Sequence, residues 1–196
     1  MKVLDKGYVN LEQYWGSEEL IAKTAGISYN NTNPNIARVI RKIMKHENYG
    51  TPFEHAGATV KVKAPIFVFR QWFRHRIGFS YNEISGRYVN AKPEWYIPNT
   101  YPEEFRKIKK AYEQSYENYI NLMNVGMKRE QARAVLGTGM YSTAYISANL
   151  RAWMHFLELR TDKHAQEEIR KYANGIKHIL KERFPNIMEE WESWYT

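Results

Sequence analysis

The sequence predicts an α/β (α+β) chain folded as a single domain across residues 1–196. Three observations carry that expectation. Apolar residues recur at helical spacing in several long segments. One segment, Ala58–Lys63, instead alternates Val60 and Val62 with Thr59, Lys61 and Lys63, the period of a half-exposed strand. No internal repeat, low-complexity stretch or linker divides the chain, and its 196 residues suit one domain with a sizeable core.

Met1 to Tyr8 reads as a short strand, with Val3, Leu4 and Tyr8 apolar and Gly7 interrupting it. From Pro34 to His46, Ile36, Val39, Ile40, Ile43 and Met44 have helical spacing, and that helix ends near Asn48 and Gly50. Ser28 precedes it in an Asn-rich loop, and Thr51-Pro52 suits a turn or a helix start. Pro65 suits a first helical position, Ile66, Phe69 and Phe73 form a buried stripe, and Gly78 is a natural stop. This places Arg74-His75-Arg76 in the last turn of a helix, with Arg70 and Arg74 on one side of it.

After Tyr101 a long helix opens with Pro102, Glu103 and Glu104 and turns Phe105, Ile108, Tyr112, Tyr116, Tyr119 and Met123 inward until Gly126 breaks it. Lys128 to Leu136 is a shorter helix holding Arg133. Tyr141 to Ser147 fits either a strand or a continuing helix. Asn149 is a helix N-cap, and Arg151 and His155 then share one face at i and i+4. A long amphipathic helix follows with Ile169, Tyr172, Ala173, Ile176 and Leu180, ended by Pro185. Trp191, Trp194 and Tyr195 read as an aromatic tail that packs on a neighbour.

Hydrophobic residues at 43% and aromatics at 15% indicate an ordered globule. A net charge of +8 and a pI near 9.5 indicate anionic partners, either nucleic acid or phosphorylated small molecules. The absence of cysteine excludes disulfides, Cys-bearing zinc sites and a thiolate nucleophile. No apolar run approaches the ~18 residues of a membrane span, and the amino end lacks a signal peptide's apolar core. No membrane partner is therefore expected, and the cytoplasm is the expected location. His-Glu-x-x-His, Gly-x-Gly-x-x-Gly and Gly-x-x-x-x-Gly-Lys motifs are all absent, so neither a metal site nor a Rossmann or P-loop nucleotide site is expected.

The stretch from Arg74 to Tyr88, Arg-His-Arg-Ile-Gly-Phe-Ser-Tyr-Asn-Glu-Ile-Ser-Gly-Arg-Tyr, concentrates cations, hydroxyls, an amide and a carboxylate. That mixture suits an anionic nucleotide, with Arg forks on phosphate oxygens and Ser and Asn on sugar and base edges. It equally suits a helix end carrying basic residues, with Ser80 and Glu83 as a capping box for a short helical turn. Arg133 alone reads as solvated surface, and a lone His55 as structural. Ser85 has no histidine–carboxylate pair assignable from sequence, so it reads as a hydrogen-bond donor rather than a nucleophile.

Together with Ala64-Pro65-Ile66-Phe67-Val68, Arg70-Gln71-Trp72-Phe73, Asn149-Leu150-Arg151 and Phe156-Leu157-Glu158-Leu159-Arg160, this stretch resembles the flavin-dependent thymidylate synthases over nearly the whole chain. The spacer from Ile77 to Ile84, between Arg-His-Arg and Ser85, is one residue longer than the family pattern. Gly78-Phe79 is where that residue is expected to be absorbed. Tyr49 stands where the family commonly has a flavin-side histidine, and Ser28 falls near a serine that lies close to the flavin. The resemblance implies helices around a central antiparallel or mixed sheet. It implies reductive methylation of dUMP to dTMP with FAD, NADPH and 5,10-methylenetetrahydrofolate, and a homotetramer with sites shared between subunits. It assigns Thr51, Arg74, His75, Arg76, Glu83, Asn149, Leu150, Arg151 and His155 to FAD. Gln71, Trp72, Phe73, Arg74, Glu83, Ile84, Ser85, Gly86, Arg87, Arg133 and Arg160 go to dUMP, with Arg160 the catalytic cation against the uracil.

Two other readings stay open on sequence. Basic charge and tyrosines also suit a nucleic-acid-binding protein, although the arginines gather at two polar turns rather than along one stripe. A relative that binds flavin and nucleotide without synthase activity also fits the longer spacer and Tyr49.

Overall fold

The computed structural model describes residues 1–27, 30, 33–45 and 50–195. Ser28, Tyr49 and the helix end near Asn48 lie outside these residues. Five strands, β1 (Lys2–Val3), β2 (Gly7–Trp15), β3 (Gly57–Pro65), β4 (Phe79–Glu83) and β5 (Tyr141–Asn149), form one antiparallel sheet in the order β1-β2-β3-β5-β4. The amino-terminal segment is thus two strands and a turn rather than one short strand. Leu4 takes the left-handed conformation in the turn (φ 57°), and Gly7 begins β2 instead of interrupting a strand. Tyr141–Asn149 resolves as a strand, and Ser80–Glu83 is strand rather than a capping box.

The period-two pattern of β3 sets the layering. Ala58, Val60, Val62 and Ala64 are buried with Ala144, Ile146 and Ala148 of β5 on one face. On the other face Thr59 Oγ1 and Ser147 Oγ lie 2.8 Å apart and the Lys61 ammonium stands 5.3 Å from the Tyr145 ring centroid. The apolar face is roofed by α3 (Ile66–Trp72), α6 (Leu150–Arg160) and α7 (Glu167–Arg183). Trp72 stacks on Phe156 with centroids 4.7 Å apart, and Trp153 donates to the Ala58 carbonyl at 3.1 Å.

Several local expectations shift. Pro65 is the last residue of β3, and α3 starts at Ile66. Its buried residues are Val68, Phe69 and Trp72, whereas Ile66 and Phe73 are half-buried. The helix is too short to contain the triplet, which occupies the turn beyond it: the Arg74 N–H reaches the Gln71 carbonyl at 3.4 Å and that of His75 the Trp72 carbonyl at 3.0 Å. Helix α7 ends at Arg183, just before Pro185 as expected, but Pro185 also opens a further helix, α8 (Pro185–Tyr195). Its Trp191 is fully buried in the common core, so only Trp194 and Tyr195 of the expected aromatic tail stay exposed. Helix α1 (Glu18–Gly26), capped by Ser17, was not legible as a helix, and its Glu18 accepts from the Ile187 N–H at the start of α8 at 3.0 Å.

The remaining helices match the sequence pattern closely. Helix α2 (Ile36–Met44) is capped by Asn35, α4 (Pro102–Asn124) begins at Pro102, and α5 (Arg129–Ala132) runs into a 3-10 turn at Arg133–Val135. Only Tyr119 of the expected α4 stripe is fully buried, and Phe105 is 43% exposed. Ile108, Tyr112, Tyr116 and Met123 are half-buried, with Trp95 packed on Tyr112 and Tyr116, so only the Phe105 end of the face stands open. Among the described residues no helix is long and apolar enough to cross a membrane.

Candidate nucleotide and flavin site

Strand register decides which parts of the chain meet. Pro65 pairs with Tyr141 at one end of the β3–β5 ladder and Gly57 with Asn149 at the other. Helix α3 leaves the Tyr141 end and its seven residues carry the chain ~10 Å. Strand β4 then starts beside Ala148, at the Asn149 end. The Arg74–Gly78 turn must therefore lie against the first turn of α6.

Gly78 makes that contact close. Its φ is +74°, and a Cβ there would fall 2.9 Å from Ala152 Cβ and 3.2 Å from Asn149 Nδ2. Asn149 caps α6 by accepting from the Ala152 N–H at 2.9 Å, and the Leu150 N–H is taken by the Ala56 carbonyl at 2.8 Å. Thr51 begins the 3-10 segment Thr51–His55, whose Glu54 pairs with Arg151 at 2.6 Å. Arg74 and Arg76 are exposed, and their guanidinium groups have no partner among the described residues. Two free guanidinium groups beside a helix N-terminus form a place for a phosphate chain. The Leu150 side chain is fully buried, so only its backbone can face a ligand. His155 is exposed and 3.6 Å from Glu158.

His75 turns the other way. It is 8% exposed, and its Nε2 accepts from Arg160 Nε at 2.9 Å while Arg160 Nη2 donates to the Gln71 carbonyl at 3.3 Å. Burial, then the Arg160 charge, then His155 lower the His75 pKa to about 4, so the ring is neutral at ordinary pH. Burial also lowers the Arg160 pKa, from a value so high that the guanidinium keeps its charge. Gln71 Nε2 donates to Gln166 at 2.6 Å. Tyr81, from the longer spacer, donates to the His75 carbonyl at 2.5 Å. Its hydroxyl pKa is raised by burial, which keeps it a donor.

A second locus is a cavity of about 640 Å³ lined by Ile66, Phe69 and Arg70 of α3 with the adjoining Phe73, and by Glu83 at the end of β4 with Ile84, Ser85 and Gly86 of the loop after it. Arg133 closes one side: a Cβ on Gly86 would lie 3.2 Å from Arg133 Cδ. Helix α5 holds this loop. Glu130 pairs with Arg87 at 3.2 Å, and Arg129 Nη1 donates to the Tyr88 carbonyl at 3.0 Å. Ser85 Oγ accepts from the Arg87 N–H at 3.2 Å and has no histidine or carboxylate partner among the described residues.

One chain thus brings the expected substrate residues together in two groups, Gln71 with Arg160 and Ser85 and Gly86 with Arg133. Gln71, Arg74 and Arg160 do not line the cavity that Arg133 lines. Trp72 stands apart: its indole is fully buried on Phe156, so only its backbone can face a ligand. Sequence reading missed Arg129, Glu130 and Tyr81. Arg129 and Glu130 act on a loop some 40 residues earlier, a pairing no local pattern announces.

The fold is α+β, with arginines on the turn packed against the α6 N-terminus and beside the Ser85–Gly86 loop, two donor sets suited to anionic ligands. The chain belongs to the flavin-dependent thymidylate synthase family. The family profile described as thymidylate synthase complementing protein matches residues 10–186. The flavin-dependent thymidylate synthase of Thermotoga neapolitana is 42% identical over 93% of this chain and 89% of its own length. That of Thermosipho africanus is 41% identical over 96% and 92%. The crystal structure of the UMP/dUMP methylase PolB from Streptomyces cacaoi bound with 5-Br dUMP superposes with a TM-score of 0.89, at 29% identity over 98% of this chain and 97% of that one.

Proposed function

We propose that the protein converts dUMP to dTMP, with 5,10-methylenetetrahydrofolate as one-carbon donor, FAD as hydride carrier and NADPH as reductant. The observation that carries this reading is the junction of the Arg74–Gly78 turn with the capped N-terminus of α6. It offers two unpaired guanidinium groups and a helix terminus within one small surface. That donor set, two cations with the Arg151 N–H that remains once Leu150 and Ala152 are bonded to Ala56 and Asn149, fits the diphosphate of FAD. When bound, the flavin supplies the hydride that completes the methyl group.

The chain's own residues supply position and charge. Arg74, Arg76, Asn149 and the α6 terminus would hold the diphosphate, with Thr51, Arg151 and His155 around it, while Glu83, at the far end of β4, stands with the cavity residues. Ser85, Gly86, Arg87 and Arg133 take the nucleotide phosphate and sugar, and Glu83 and Gln71 complete the base side. Arg160 faces the uracil and stabilises its N3-ionised, enolate-like form. C5 then becomes nucleophilic without a protein–substrate bond, in a chain that has no cysteine to form a thiolate adduct. The two groups of substrate residues within one chain support a homotetramer in which each site draws Arg160 from one subunit and Arg133 from another. The reaction is placed in the cytoplasm, with no nucleic-acid or membrane partner.

The test is rescue of a thymidine-requiring bacterium, together with an FAD titration of the purified protein and turnover of dUMP beside UMP, since PolB is a methylase of both. Rescue, saturable uptake of FAD and preference for dUMP support the assignment. A protein that leaves the flavin spectrum unchanged and fails to rescue overturns it.

A further inference from the structure

We propose that His75 is a positioning residue for Arg160, a neutral imidazole that holds the guanidinium through Nε and aims its remaining N–H groups at the substrate. This inference rests on the reading of Arg160 as the cation that acts on the uracil. The geometry gives His75 a role distinct from the two arginines flanking it. Arg74 and Arg76 are exposed and unpartnered among the described residues, whereas the ring between them is buried with its edge against Phe156, centroids 5.0 Å apart. The Nε2 of His75 meets Arg160 Nε at 2.9 Å, and the Gln71 carbonyl takes one N–H of Nη2 at 3.3 Å. With Nε2 accepting, the ring proton lies on Nδ1.

Two fixed bonds at different nitrogens set the plane of a guanidinium, because all its N–H groups are coplanar. Nη1 and the second N–H of Nη2 have no partner among the described residues, so the restrained edge of Arg160 is its inner one and the free edge is the working one. The imidazole is in turn restrained. Its turn is held by the Tyr81 hydroxyl on the His75 carbonyl at 2.5 Å and by the His75 N–H on the Trp72 carbonyl at 3.0 Å. Tyr81 belongs to the lengthened spacer and packs on Phe73 and Phe79, so that spacer carries part of the restraint.

The test compares His75→Gln, which keeps a neutral acceptor, with His75→Leu, which removes it, each alone and combined with Arg160→Ala in the FAD-loaded protein. His75→Leu should lower kcat for dTMP formation ~10²-fold, the scale of a small misplacement of a reacting group. His75→Gln should recover most of that loss. In the Arg160→Ala background His75→Leu should add less than about twofold, because its effect passes through the guanidinium. Equal losses for Gln and Leu, or full additivity with Arg160→Ala, would overturn the proposal. NMR of protein labelled with ¹⁵N at histidine and arginine gives a readout independent of turnover. A single Nδ1–H tautomer at His75, with slow exchange of the Arg160 Nε–H that speeds up in His75→Leu, supports positioning. Averaged tautomers and unchanged exchange overturn it. If the wild type makes no thymidylate the functional reading falls, and the NMR result then judges the His75–Arg160 coupling by itself.

Discussion

A Cβ at Gly78 would stand 3.2 Å from the side-chain amide of Asn149 and 2.9 Å from Ala152 Cβ, so the turn after α3 and the cap of α6 are in direct contact. Gly78→Ala must also place a side chain at φ +74°. The combination should cost roughly 1–3 kcal/mol and displace the arginine turn from the helix terminus. Urea denaturation and FAD titration should show lower stability and weaker flavin uptake together. Unchanged flavin affinity would separate this junction from the cofactor.

Arg160→Ala should leave a folded oligomer while dTMP formation drops on the order of 10²–10³-fold, the contribution of one well-placed donor to developing negative charge. Steady-state turnover with circular dichroism and light scattering checks both halves. Near wild-type turnover would remove Arg160 from the chemistry.

Ser85→Ala should retain measurable activity with a raised KM for dUMP. Among the described residues its hydroxyl accepts only from the exposed Arg87 N–H, so the structural loss is about 1 kcal/mol or less. Complete inactivity at saturating dUMP would restore the nucleophile reading.

Stability should depend on His75 between its ordinary pKa of 6.5 and its folded value of about 4. In that window the unfolded chain binds a proton that the folded chain rejects. Stabilisation is fully present above about pH 6.5 and is lost as pH falls toward 4, by up to about 3 kcal/mol. Denaturation at pH 7.5 and pH 5 should therefore show a smaller difference in His75→Gln than in wild type. The same difference in both proteins would mean that His75 is not held neutral.

Arg133→Ala and Arg160→Ala, each strongly impaired alone, should regain part of their activity when co-expressed, because some mixed sites would draw both intact arginines from different chains. The separation of the two groups in one chain motivates the experiment. Light scattering establishes first that each variant is a folded oligomer. No recovery in demonstrably mixed oligomers would place both arginines of a site on one chain.

The sequence by itself determined the family and much of the local structure. Pro102 with Glu103 and Glu104 announced α4, the Asn149 side chain announced its own capping bond, and the alternation at Ala58–Lys63 announced the strand and its buried face. These signals are local: a cap or a period depends on residues a few positions apart. Helix α1 and α8 escaped because their stability rests on packing and on Glu18 reaching Ile187 across the chain. The tertiary structure alone decided that the Arg74–Gly78 turn meets α6, because β4 pairs with β5 in a register that starts at Ala148. It alone turned His75 inward to Arg160 while leaving Arg74 and Arg76 in solvent. A triplet of basic residues has no internal pattern that says which member is buried; the turn after α3 and the apolar wall of Phe156 choose it.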